Sequence, residues 1–328
     1  MIYYVINNDF HIENVQNHIQ VTGIKDCTII RIPYSLKNDC KNLSKNIITI
    51  QTPFREKKKF WNPFNFYKAK RNINKISFTK NDKVVFLTEY DPLNQYIVFL
   101  AKNQGATIHL LEEGISFYAI YLFDNHLTNN YKYLIKLFYL RYVVGFHFFK
   151  YVEVGSKVFP QMKDEFIDKI LLYFDVESSR NIEVEIISNK IQTYNNLDKN
   201  GVVFLSQPLY DSYISLDCYL DTVTTELRCL EEKYLRVYFK FHPRDNSLFK
   251  ENIQNILSEN IIFIENQTLE DFFLEYKPST AFSFCSDALF KLKQKGVKVR
   301  FLYKKIPELA KEQYLVNLEE IVKRLENG

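Results

Sequence analysis

The chain has 328 residues, 46% of them hydrophobic, and a formal net charge of +4. That is enough apolar material for a large core spread over two domains, and too little positive charge for a general nucleic-acid binder. Its five cysteines (Cys27, Cys40, Cys218, Cys229, Cys285) contain no CxxC pair, which argues against a disulfide framework or structural zinc site and for a reducing compartment.

Taken in chain order, Ile2 to Ile6 reads as a first strand, followed by the turn Asn7-Asn8-Asp9 and a helix from Phe10 to about Val21 with Asp9 as its cap. The start Met1 to Asp9 lacks a basic region and a small-residue cleavage site, and no apolar run is long enough to span a bilayer, so a cytoplasmic location is expected. Strands follow at Ile24 to Ile32, Ile47 to Gln51, Val84 to Thr88 and Thr107 to Leu111, with a helix from Asp91-Pro92 to about Gly105 between the last two. Residues from about Tyr118 to Phe149 read as a long aromatic and basic helical stretch, and the polar segment Asp175 to Asp198 as a crossover.

A second α/β unit then begins, with strands at Val202 to Leu205, Leu235 to Phe241, Ile261 to Ile264, Thr280 to Phe284 and Lys298 to Tyr303. The helices between them are Tyr213 to Tyr234, Ser247 to Ser258, Leu269 to Tyr276 and Ser286 to Lys295, and a terminal helix covers Pro307 to Leu325. Alternation at this spacing predicts doubly wound, mainly parallel sheets: two Rossmann-like domains facing across a cleft. The expected organisation is residues 1–155, a crossover at 156–198, a second domain at 199–306, and the helix from 307 to 328.

Four clusters fall at expected strand ends, where open α/β sheets bind ligands. Glu112-Glu113-Gly114 sets two carboxylates side by side, so repulsion is expected to raise one pKa into the range of a general base, while glycine permits the turn. In the run Lys240 to Asp245, Pro243 ends the strand and leaves His242 at its mouth, with Lys240 and Arg244 adding positive charge suited to a phosphate. The alternative there is a histidine that caps the next helix. Ser283-Phe284-Cys285-Ser286 places hydroxyls before a helix N-terminus, as an anion site or as a plain cap. Glu265 closes a strand where a carboxylate can accept both ribose hydroxyls, or stand as an ordinary surface charge. Ser206-Gln207-Pro208 offers backbone groups to a base.

The acidic pair with glycine, His242-Pro243 and the serine motif, in that order, resemble the short motifs of bacterial sialyltransferases of the GT-B fold, the lipooligosaccharide and capsule sialyltransferase family. The resemblance spans most of the chain, and Tyr3 to Asn8 looks like the family's first strand, whose end faces the donor sugar, so Asn7 is placed on the donor. It implies a glycosyltransferase that moves N-acetylneuraminic acid from CMP-Neu5Ac to a hydroxyl of a surface glycan with inversion. On this reading Glu112 is the general base beside Glu113, His242 binds the CMP phosphate and acts as general acid, and Ser283 and Ser286 assist. Gln207, Lys240, Pro243 and Glu265 complete the donor site. The resemblance divides over the base: related polysialyltransferases use the first acid of the pair, and lipooligosaccharide enzymes an Asp upstream of His-Pro, for which Asp211 or Asp221 is the nearest match. Cys285 and Asp287 flank Ser286 and leave open which hydroxyl meets the phosphate.

No Asp-x-Asp metal motif lies near a strand end, so neither metal nor cofactor is expected beyond the donor. The expected partners are a nucleotide-sugar donor and a glycan acceptor that can be lipid-linked, with no nucleic acid; the resemblance also allows a homodimer. The basic and aromatic stretches Phe54 to Trp61 and Tyr131 to Lys150 suit peripheral contact with the inner face of the cytoplasmic membrane. A helix packed in the core beside a solvated loop explains the same pattern. The competing functions are a GT-B transferase using a UDP-sugar or a CDP-glycerol-like donor, and a non-catalytic nucleotide- or glycan-binding protein.

Overall fold

Tyr3 to Ile6 are buried without interruption inside the first strand, β1 (Ile2–Asn8), as expected for a strand covered on both faces of a parallel sheet. The computed structural model describes residues 1–35, 40–50, 63–114, 117–122, 125–154, 157–187, 193–211, 213–256, 260–265, 267–311 and 319–327. Two units divide the chain, Met1–Lys190 and Ile191–Gly328.

In the first unit β1 leads into α1 (Asp9–Thr22). The helix is capped by Asn8, whose side chain accepts from the His11 N–H. Asp9, expected as the cap, sits one residue later, because Asn8 still has extended backbone and is therefore the half-in position. There follow β2 (Thr28–Ser35), β3 (Asn46–Thr49), α2 (Pro63–Ile73), β4 (Lys83–Phe86), α3 (Pro92–Asn103) and β5 (Thr107–Leu111). Asp91 caps α3, accepting from Leu93 and Asn94 N–H, with Pro92 in the first turn.

The stretch expected as one long helix is broken. It contains a π-helical turn (Phe117–Tyr121), β6 (His126–Leu127), α4 (Tyr131–Phe138), a second π-helical turn (Tyr139–Val144) and β7 (Phe149–Val154). Gly145 ends the helical part in the left-handed region, and the β-branched and aromatic run behind it pairs as a strand. Strand β7 forms a small antiparallel sheet with β6 and β8 (Lys157–Met162).

Residues 157–187, read from sequence largely as crossover, also supply β9 (Lys169–Leu172) and β10 (Glu183–Ile186) to the first unit. The main sheet runs β10-β9-β5-β4-β1-β2-β3 with every pairing parallel.

The second unit is a five-stranded parallel sheet ordered β13-β12-β11-β14-β15. Its elements are β11 (Asp198–Leu205), α5 (Leu216–Glu231), β12 (Arg236–Lys240), α6 (Ser247–Ile256), β13 (Ile261–Ile264), α7 (Leu269–Glu275), β14 (Pro278–Ser283), α8 (Asp287–Gln294) and β15 (Lys298–Phe301). Within the span expected as a terminal helix, the described residues include the helical segments α9 (Pro307–Ala310) and α10 (Glu319–Asn327). No helix among the described residues is long and apolar enough to cross a membrane.

Candidate functional site

Strand order decides where each unit can bind. In the first sheet β1 lies between β2 and β4, so the direction of winding reverses between β1 and β4, and loops splay apart at that C-terminal edge. The edge carries Asn7, Thr88 and the Glu112-Glu113 pair. Asn7 and Asn94 exchange two side-chain amide hydrogen bonds of 3.0 Å. The Asn7 amide, expected to face a donor sugar, is therefore buried and engaged in joining β1 to α3.

The two glutamates have different surroundings. Glu112 is only 4% exposed and its Oε2 accepts from the Tyr173 N–H at 2.8 Å. Burial pushes its carboxyl up to about 8, against a smaller lowering by the Tyr173 N–H. The shift expected from carboxylate repulsion is thus produced by desolvation instead. Gly114 at φ 137° makes the turn beyond the pair at a backbone angle few side chains tolerate.

Glu113 is half-buried and held by other partners. Its Oε1 lies 2.8 Å from His11 Nε2, and its Oε2 accepts from Thr88 Oγ1 at 2.8 Å. His11 is fully buried and its Nδ1 accepts from the Asn7 N–H. A backbone amide can only donate, so the ring proton sits on Nε2 and points to Glu113. Sequence reading missed His11 and Thr88. The visible signal was a histidine one helical turn past the strand end.

The second sheet has its own reversal between β11 and β14. Leu205 pairs with Lys240, Lys240 with Ile264 and Ser283 with Phe301, so Ser206, Phe241-His242 and Glu265 emerge along one edge. Together with Lys250, Gln267, Thr268 and Ser286 they line a cavity of about 560 Å³, within the range of small-ligand sites. Its floor is apolar, from Leu205, Phe241 and Leu269. Beneath it Phe241 stacks on Phe263 at 5.7 Å and meets Phe239 edge-on at 5.0 Å. This packing fixes where the chain leaves β12.

The run His242-Pro243-Arg244-Asp245 closes as a β-turn, with the Asp245 N–H donating to the His242 carbonyl at 2.9 Å. Proline at the second position pre-sets φ for this turn. Asp245, nearly buried, accepts from the His242 N–H at 2.7 Å and from Tyr210 Oη at 3.1 Å. Inside the turn the Arg244 N–H donates to His242 Nδ1 at 3.1 Å. His242 is therefore the Nε2–H tautomer. Burial and Arg244 push its pKa below the ordinary value, against the opposing pull of Asp245. The ring lines the cavity as a neutral hydrogen-bond donor. Asp245 and Tyr210, the residues that set this state, had no assigned role in the sequence reading.

The remaining expected residues separate into liners and supports. Glu265 and Pro243 line the cavity; Glu265 accepts from Gln254 at 3.0 Å and lies 3.9 Å from the Lys250 ammonium. Ser286 lines it too and caps α8, accepting from the Ala288 N–H.

Ser283 is fully buried, donating to the Leu205 carbonyl at 2.8 Å and to Gln207 Oε1 at 3.3 Å. Its hydroxyl is engaged inside the sheet, and Ser283 is not among the residues that line the cavity. Gln207 bridges the reversal point, donating to the Cys285 carbonyl and accepting the Cys285 N–H at 2.6 Å. Lys240 lines the cavity while its ammonium donates to the Gln267 carbonyl, tying down the loop after β13. Asp211 is exposed in a 3-10 turn and is not a cavity liner, and Asp221 is exposed on α5. Among the described residues no group of three or more His, Cys, Asp or Glu is placed to hold a metal ion.

A family model described as Alpha-2,8-polysialyltransferase (POLYST) matches residues 2–320. No curated protein sequence matches the chain. Among solved structures, a ugt transferase from Siraitia grosvenorii in complex with UDP superposes with TM-score 0.54 at 13% identity, covering 99% of this chain and 85% of that one. A putative UDP-N-acetylglucosamine 2-epimerase from Listeria monocytogenes gives TM-score 0.53 at 11% identity, covering 100% and 88%. At such identities the likeness shows the fold alone, the GT-B arrangement of two Rossmann-like units.

Proposed function

Because the chain belongs to the alpha-2,8-polysialyltransferase family, we propose that this glycosyltransferase is an inverting enzyme that moves N-acetylneuraminic acid from CMP-Neu5Ac. The family description names an α-2,8 linkage; on that ground the proposed acceptor is the 8-hydroxyl of a sialic acid ending a bacterial surface glycan of the lipooligosaccharide or capsule type.

One observation carries the reading. The cavity at the second sheet's edge holds an Nε2–H imidazole, a helix N-terminus capped by Ser286, and a strand-end carboxylate. In the proposed complex the CMP phosphate takes the hydrogen bond from His242 Nε2 and those of Ser286 and the first turn of α8. Glu265 accepts the ribose hydroxyls.

The chemistry follows from these donors. The bond from the sialyl anomeric carbon to the phosphate oxygen breaks through an oxocarbenium-like state, and negative charge grows on the departing CMP. Fixed donors aimed at that charge lower the barrier without having to reorganise. A neutral imidazole whose only proton sits on Nε2 is a weak acid, so His242 acts by hydrogen bonding rather than by full proton transfer. Glu112, with its carboxyl near 8, takes the acceptor's proton as that hydroxyl attacks. Glu113, fixed by His11 and Thr88, is proposed to orient the acceptor beside it.

The test is nucleotide-dependent thermal stabilisation over CMP, CDP, UMP and UDP, followed by transfer assays with CMP-Neu5Ac. A shift with CMP and sialyl transfer lost in His242→Ala is the expected result. Stabilisation by UDP alone, or His242→Ala at full turnover, overturns the reading.

A further inference from the structure

We propose that α2, α4 and the π-helical turn after α4 form a surface that docks on an anionic lipid bilayer. The structure narrows the sequence-level alternatives of core helix and membrane contact to one defined face. A core helix turns its apolar stripe inward, and α4 does so only in part. Tyr133 and Leu137 of α4 are partly covered, and Leu140 and Val144 of the π-helical turn are buried. The Tyr133 ring lies 5.3 Å from that of Tyr151 in the small antiparallel sheet.

A second apolar stripe faces outward. Tyr131, Leu134, Ile135 and Phe138 recur at helical spacing, and all are exposed, Ile135 at 65% and Phe138 at 61%. Tyr142 continues the stripe, its ring 4.7 Å from Phe138. A solvated helix would be polar on this face.

Helix α2 is built the same way. Phe66, Ala69 and Ile73 are buried, while Phe64, Tyr67, Lys68 and Arg71 are exposed on the opposite face. The two elements are joined. Lys70 donates to the Val144 carbonyl at 3.0 Å, and Phe66 meets Phe146 edge-on at 5.5 Å. The outward apolar residues therefore belong to adjoining elements, and a grouping of exposed apolar residues of this kind marks an interaction site rather than ordinary surface.

Charge identifies the occupant. Residues 63–73 and 131–144 hold six cations (Lys68, Lys70, Arg71, Lys132, Lys136, Arg141) and no Asp or Glu. Of these, Lys68, Arg71 and Lys132 are exposed beside the aromatic residues. Exposed phenyl and tyrosyl rings on elements that carry cations and no carboxylate of their own complement anionic headgroups over an apolar interior. The stretch Phe54 to Trp61, expected to share this role, lies outside the described residues. The surface shares no residue with the cavity of the second unit, so the inference stands independently of the sialyl donor.

The experiment is co-sedimentation of the full chain with vesicles of phosphatidylcholine alone and of phosphatidylcholine with 30% phosphatidylglycerol, at low and high salt. Binding is expected only to the anionic vesicles and is expected to fall with salt. In Ile135→Asp/Phe138→Asp, the partition coefficient should drop about tenfold or more. Because a double change can disturb packing, Lys132→Glu at an exposed position provides a second readout and should weaken binding with unchanged circular dichroism. Absence of wild-type binding to the anionic vesicles overturns the proposal. So does a concentration-dependent dimer that Ile135→Asp/Phe138→Asp dissociates, which would assign the patch to a second copy of the chain.

Discussion

Glu112 offers the sharpest test because function and stability are expected to move in opposite directions on its replacement. Its carboxyl rises from an ordinary 4.5 to about 8 through burial. A carboxylic acid with a raised folded pKa makes the native state less stable as pH increases: the unfolded chain ionises first, while the folded group holds its proton. At ~1.4 kcal/mol per pKa unit the cost grows between pH 4.5 and 8, amounting to about 3 kcal/mol at pH 7 and about 5 kcal/mol above pH 8. Glu112→Gln removes the ionisation while keeping an oxygen for the Tyr173 N–H. If the new amide N–H groups lack partners, about 1–3 kcal/mol of the gain is lost at every pH.

The pH dependence is therefore the decisive reading. Between pH 5 and 8 the wild-type melting temperature should fall relative to the variant by roughly 5–10 °C. Over the same range wild-type kcat/KM should climb as the base ionises, reaching about half its plateau near pH 8, and the variant should lose about 10²- to 10⁴-fold in kcat. Scanning fluorimetry across pH with initial rates on the same samples measures both. A variant with the wild-type melting profile, or with near-normal turnover, refutes the assignment of a buried, raised-pKa base.

Other expectations follow from the same geometry. His242→Ala should lower kcat by roughly 10²-fold, while His242→Gln, a neutral donor, should retain more; a rate that falls between pH 6 and 7.5 in wild type but not in His242→Gln would show that an imidazolium is required. Because the His242 pKa is lowered by burial, its contribution to stability should decline as pH falls below about 6.5, where the unfolded imidazole takes up its proton first. Ser283→Ala should cost about 1–2 kcal/mol by removing the hydroxyl that donates to the Leu205 carbonyl, whereas Ser286→Ala should lose about 1 kcal/mol of cap energy and also raise KM for the donor. In the first unit, Arg180 and Glu89 have fully buried side chains in a bidentate pair at 2.7 and 3.2 Å, so Glu89→Ala should destabilise by about 3–5 kcal/mol in chemical denaturation.

Local pattern sufficed where the chain obeys it for several residues in a row. The buried runs of β1, β4 and β12, the Asp91-Pro92 start of α3, and the alternation of strand and helix in the second unit were readable because periodicity and capping are properties of neighbours in sequence. The same holds for His242 at the mouth of β12, where proline ends the strand by its own covalent geometry. The segment from about Tyr118 to Phe149 was misjudged as one long helix, since its aromatic and β-branched residues suit helix and strand alike and only pairing between strands decides between them. Burial and partner choice lay beyond local reach too. Glu112 and Glu113 are adjacent in sequence, yet one is desolvated and the other bound to His11 and Thr88, 102 and 25 residues away. Ser283 and Ser286 belong to one motif, yet the first is engaged inside the sheet and the second lines the cavity. A sequence determines which chemistry is present and where strands end. Solvent access and hydrogen-bond partners are set by residues distant along the chain, and only the folded arrangement selects which glutamate is desolvated, which serine lines the cavity and which nitrogen of the histidine carries the proton.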